Sequence, residues 1–195
     1  MVLAVREGDA LGLAEGVARR ICHDFAGLLG TLDGLTALAA EDAEAAALAA
    51  ETAGRLAARV RLLRGAWSGG VEALDAAALL ALAHGLPGGE RLHVDCADLA
   101  GALEGDAARL CLCLMLVGAQ SMPRGGTLHV GAAMGEVWMV LQGADAAWPQ
   151  VASMAGVAGV EDGPRVVPAL LCGLLLARLG WRLRVAGLRA TLRQD

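Results

Sequence analysis

Apolar side chains recur at alternating steps of four and three across the first part of the chain: Ala14, Ala18, Ile21, Phe25, Leu28, Leu32, Leu35 and Ala39. That rhythm is the seam of a long helix packed in a coiled-coil-like bundle. Asp9 is placed to cap its start, and the pattern runs to about Ala39, a length of ~45 Å at ~1.5 Å per residue. Glu41, Asp42 and Glu44 then put carboxylates at a turn and at the head of a second helix, where the dipole favours them. The second helix is expected from about Ala43 to Trp67, with Leu48, Thr52, Leu56, Val60, Leu63 and Trp67 as its apolar line. Two long helices on a short turn form an antiparallel hairpin with too little core to stand alone. A second copy of the hairpin would complete a four-helix bundle.

With Ala18 and Phe25 at heptad position a, and Ile21 and Leu28 at d, His23 falls at f, farthest from the seam. Such a histidine points at water or at a partner. Residues three, four and seven positions away share its face. They are Gly16, Arg19 and Arg20 before it, and Ala26, Gly27 and Gly30 after it. The face is cationic on one side and nearly bare on the other. Each interior glycine costs a helix about 1 kcal/mol relative to alanine. The functional reading is steric: something large approaches His23 closely over Ala26, Gly27 and Gly30. The plain alternative is that glycine and alanine are simply abundant in this chain. A neutral imidazole, with an unperturbed pKa of about 6.5, is a competent nucleophile near neutrality. Asp24 could orient that imidazole or hold its proton, or be an ordinary solvated carboxylate. Arg19 and Arg20 could meet phosphate or a partner's acids, or simply be solvated.

Ser68, Gly69 and Gly70 break the helical pattern and divide the chain into a hairpin domain, residues 1–68, and a second domain, residues 69–195. In the second domain the patterns predict helices over 75–86, 105–122 and 167–179. Strands are expected over 90–97, 127–132, 137–143, 181–186 and 188–192, with a long loop over 144–164. Helices against one face of a mixed or antiparallel sheet give an α+β sandwich.

The net charge of −5 argues against a nucleic-acid partner, which calls for a basic patch. The longest apolar runs, 110–119 and 166–177, are shorter than the ~20 residues that span a bilayer, so no membrane partner is expected. The chain holds five cysteines. Four are widely spaced, and Cys111 and Cys113 face different ways on a helix, so these two are small hydrophobes rather than joint metal ligands. With no charged, apolar, small-residue leader at its start, the sequence reads as a reduced cytoplasmic protein. His84, His93 and His129 fall in the second domain and read as satisfied or solvent-facing.

Four stretches carry a resemblance: Arg20-Ile21-Cys22-His23-Asp24 with Gly30; Arg59-Val60-Arg61-Leu62-Leu63-Arg64-Gly65-Ala66-Trp67; Met122-Pro123-Arg124-Gly125-Gly126-Thr127; and Arg165-Val166-Val167-Pro168. Their order and spacing resemble the ChpT-like histidine phosphotransferases of bacterial phosphorelays, whose layout is that of a sensor histidine kinase with a degenerate ATPase domain. The resemblance implies a homodimer in which His23 takes a phosphoryl group from one receiver aspartate and gives it to another, without ATP. It implies response-regulator receiver domains as partners, the receiver of a hybrid kinase as donor, and Mg²⁺ supplied by the receiver rather than by a cofactor of the chain's own. This sequence departs from the family in having Gly27-Leu28 where Ser-Pro is frequent. Cys113 stands near the place of the kinase asparagine, and the chain contains no asparagine at all. The strand ending Val140-Leu141-Gln142-Gly143 lacks Asp-x-Gly-x-Gly, the glycine-rich lid is missing, and Asp162-Gly163 reads as an ordinary turn. The rival readings are an active ATP-dependent kinase core and a non-catalytic dimeric scaffold that binds receivers.

Overall fold

The structure is a computed structural model and describes residues 7–69, 72–149 and 165–194. Two helices form the expected hairpin: α1, Glu7–Leu38, and α2, Ala43–Leu63. Asp9 falls inside α1, which is already helical at Glu7, and so is not the residue that caps it. The cap on α2 is Asp42, whose carboxylate accepts from the backbone N–H of Glu44 at 2.8 Å and of Ala45 at 3.3 Å. Helix α2 does not run evenly to Trp67. Its end widens into a π turn, Arg64–Ser68, and Gly69 stops it at φ 79°. The carbonyls released by that turn are captured from the second half of the chain. Arg109 donates from Nε to the Ala66 oxygen (3.2 Å) and from Nη2 to that of Trp67 (2.7 Å), and the Cys113 thiol also donates to Ala66 (3.2 Å).

Beyond this joint lie α3, Ala76–Ala83, capped by Asp75; β1, Leu92–Asp95; α4, Gly105–Gln120; β2, Gly126–Ala133; and β3, Glu136–Gln142. The chain closes with α5, Val167–Leu179, β4, Trp181–Ala186, and β5, Arg189–Gln194. The five strands form one sheet in the order β1-β2-β3-β5-β4. Only β1 and β2 run parallel, because α4 makes the crossover between them; the other pairs are antiparallel. Strand alternation sets the two faces of the sheet. Leu128 and Val130, Val137, Met139 and Leu141, and Ala190 and Leu192 are buried beneath the helices. Helix α4 is buried from Leu110 through Ala119, which accounts for the longest apolar run. The turn into β2 demands glycine. Gly125 and Gly126 sit at φ 86° and 145°, and an added Cβ would collide with the carbonyl oxygens of Arg91 and Gln142 respectively.

The foot of the hairpin is built into this core. Leu62, Leu63 and Ala66 join the buried cluster of α4 and the sheet, and Phe25 packs against it half-buried. Farther up, Leu28, Leu32 and Leu35 of the predicted seam are half-buried, while Ala18 and Ile21 are exposed in the single chain. On the apolar line expected of α2, Thr52 and Leu63 are buried and Leu56 and Trp67 half-buried, but Leu48 and Val60 are exposed, and Ala45, Ala49 and Arg59 are buried beside it.

Candidate functional site

His23 lies near the middle of α1 with its side chain 70% exposed, as its heptad position predicts. Its Nδ1 is 3.4 Å from Asp24 Oδ1. A carboxylate can only accept, so this contact calls for the proton on Nδ1 and leaves the Nε2 lone pair directed to solvent. Asp24 is no solvated carboxylate, since its side chain is only 5% exposed. Its Oδ2 accepts from Arg20 Nε of the preceding turn at 3.0 Å and lies 3.6 Å from Arg59 Nη2, which reaches across from α2.

Arg20 thus corrects one expectation. Four residues before Asp24, it turns inward to that carboxylate and is buried, so it underlies the site and does not face a partner. Its outer nitrogens are also engaged. With the Gln120 amide turned so that its oxygen meets the cation, Gln120 Oε1 accepts from Arg20 Nη2 (2.6 Å) and Nη1 (2.7 Å), and Gln120 Nε2 donates to the Arg165 carbonyl oxygen (3.0 Å). Arg59 is buried as well. Desolvation lowers its pKa, the Asp24 carboxylate opposes that shift, and Arg20 and Arg55 add to it. Arg59 Nε and Nη1 have no hydrogen-bond partner among the described residues. Arg59 and Gln120 were not identifiable from spacing around His23, although Arg59 opens the second of the four quoted stretches.

Of the remaining predicted residues, Arg19, Ala26, Gly27 and Gly30 are all exposed. A Cβ added at Gly27 or at Gly30 would meet nothing within 4 Å, so neither glycine is required by packing within the chain. His84 and His93 are exposed. His129 is satisfied on the outer face of the sheet, with Nδ1 2.9 Å from Asp95 Oδ2 and Nε2 2.7 Å from Gln142 Oε1. Cys96, Cys111, Cys113 and Cys172 are buried and Cys22 is exposed. Burial raises the thiol pKa at Cys111 and Cys113, and pushes that of Cys172 up to about 12, so these thiols stay protonated and inert. Among the described residues no group of three or more His, Cys, Asp or Glu side chains is arranged to hold a metal ion. No helix among them is long and apolar enough to cross a membrane. The Asp162-Gly163 turn lies outside the described residues.

The structure is similar to that of a bacterial phosphotransferase, with a TM-score of 0.70 over 94% of this chain and 95% of that one, at 21% sequence identity. At that identity the likeness is one of fold. No curated protein is significantly similar in sequence. The family described as the histidine phosphotransferase C-terminal domain matches residues 76–187. Because that match takes in more than half of the 195 residues, the chain belongs to the histidine phosphotransferase C-terminal domain family.

Proposed function

We propose that this protein relays phosphoryl groups between aspartates of response-regulator receiver domains through a phosphohistidine at His23, without ATP. The observation that carries this reading is an exposed imidazole, backed at Nδ1 by a buried carboxylate, beside an open strip of helix at Gly27 and Gly30. The Nε2 lone pair attacks the phosphorus of an aspartyl phosphate. A P–N bond forms, and the P–O bond to the donor aspartate breaks, its carboxylate leaving with the electron pair. The imidazole keeps its Nδ1 proton and becomes cationic, and Asp24 faces that charge. An acceptor aspartate then attacks the same phosphorus and the neutral imidazole departs. Such transfer depends on in-line positioning and charge neutralisation. The receiver brings the Mg²⁺, and the chain needs no cofactor of its own. Arg19 meets the acids of the receiver, and Ala26, Gly27 and Gly30 give its surface room to approach.

Two hairpins pair as a homodimer through the apolar positions of α1 and α2 left exposed in the single chain, and the second domain is a kinase ATPase-like sandwich without nucleotide. The donor is the receiver of a hybrid kinase, and the setting is the cytoplasm. The test is incubation with a panel of phosphorylated receivers, in parallel with γ-labelled ATP. Acid-labile label from a receiver and none from ATP is the expected outcome. Label taken from ATP alone would identify a kinase, and unchanged pathway output in a His23→Ala strain would identify a scaffold.

A further inference from the structure

Three charged side chains cluster beneath His23 among the described residues. Arg20 and Arg59 bring two cations, Asp24 brings one anion, and two nitrogens of Arg59 have no hydrogen-bond partner among the described residues. A buried ion cluster is a poor source of stability, since well-packed apolar residues of similar volume usually do as well or better. What this cluster does supply is orientation. Asp24 Oδ2 is turned toward the two guanidiniums, which leaves Oδ1 toward His23 Nδ1. The two cations come from different parts of the molecule. Arg59 belongs to α2, while Arg20 is tied through Gln120, the last residue of α4, to the backbone of Arg165 just before α5.

We propose that Arg59 and Gln120 are positioning residues for phosphotransfer: through Arg20 and Asp24 they hold the His23 imidazole in the Nδ1–H tautomer with Nε2 free. The inference deepens the phosphoacceptor reading and rests on it. It makes the second domain part of the nucleophile's setting, through the Gln120 link to Arg20.

The test reads the His23 ring nitrogens by ¹⁵N NMR in the full-length unphosphorylated chain, alongside transfer kinetics from a phosphorylated receiver. The wild-type chain should carry the proton on Nδ1. Gln120→Leu and Arg59→Met should move it toward Nε2 and lower the transfer kcat by about tenfold or more, with KM for the receiver unchanged. Gln120→Glu still accepts from Arg20 but cannot donate to the Arg165 carbonyl, and should keep the wild-type tautomer because the contact with Arg20 is the one that reaches Asp24. Gln120→Ser is too short to reach Arg20 and serves as a second truncation. Wild-type tautomer and kcat in folded Arg59→Met, or in both folded Gln120→Leu and Gln120→Ser, or a shifted tautomer in folded Gln120→Glu, would overturn the proposal. His23→Ala separates the two readings. If transfer survives that change, the phosphoacceptor assignment fails, and the tautomer measurement still decides the positioning claim.

Discussion

Asp24 answers to three cations or potential cations at once: Arg20, Arg59 and, when phosphorylated, the imidazole of His23. Its loss should therefore act on stability and on chemistry together. Asp24→Ala takes a buried carboxylate away from two buried guanidiniums, and removal of one member of a buried pair costs about 3–5 kcal/mol. Chemical denaturation should show a loss of that order, and a change below about 1 kcal/mol would mean that the cluster relaxes into solvent. A second residue-scale prediction concerns His129. Its pKa is raised, chiefly by the hydrogen bond to Gln142 and further by Asp95, against partial burial. That of Asp95 is lowered, first by the Ala97 backbone N–H and then by His129. A histidine whose folded pKa is raised gives stability that is complete below its unfolded value, about 6.5, and lost as pH climbs through the folded one. The aspartate's contribution is present above its unfolded value and lost as pH falls through its depressed one. The pair thus ties β1 to β2 within that window. His129→Leu should cost more stability near pH ~5.5 than near ~8.5, and equal losses in thermal melts at the two pH values would refute the linkage.

At the scale of elements, the glycines of α1 separate docking from packing. Among the described residues nothing lies within 4 Å of a Cβ added at Gly27 or Gly30, so alanine at either site should raise helix stability, by up to ~1 kcal/mol each. Leucine should also be tolerated by the fold, yet block the approach of a receiver. Melting temperature and transfer rate would then move in opposite directions, whereas leucine variants with full transfer rates would remove the strip from the docking surface. Much of this was legible beforehand. Four-and-three spacing located α1, placed His23 on the outward face, and left Gly27 and Gly30 beside it. Turn residues such as Arg124-Gly125-Gly126 bounded the strands, because Gly125 and Gly126 occupy backbone conformations that other residues avoid. The inward turn of Arg20 was not legible, since the same spacing that lines it up with the His23 face also brings it to Asp24. Nor was Arg59. Its partner is on another helix, and a buried arginine on an apolar face looks like a solvated one until the opposite helix is in place. The π turn after Leu63 depends on Arg109, more than forty residues away, which no local pattern reveals.

For the whole molecule, the joint between hairpin and sheet matters as much as either part, because the Arg109 bonds to Ala66 and Trp67, and the Gln120 link to Arg20, both cross it. The proposed dimer makes its own demand. Ile21 and Val60 are 38% and 47% exposed in the single chain, so charged residues there should leave the hairpin folded. Ile21→Glu combined with Val60→Glu should halve the mass in light scattering while preserving helical content, and an unchanged dimer mass would move the interface elsewhere. The account as a whole stands on His23 as the point through which phosphate passes. Its most direct test is transfer from a radiolabelled, phosphorylated receiver to the full-length chain and to His23→Ala. The account predicts label on the wild-type chain that is stable to base and lost in acid, and no label on the variant. Label retained by His23→Ala, or acid-stable label on the wild-type chain, would contradict it.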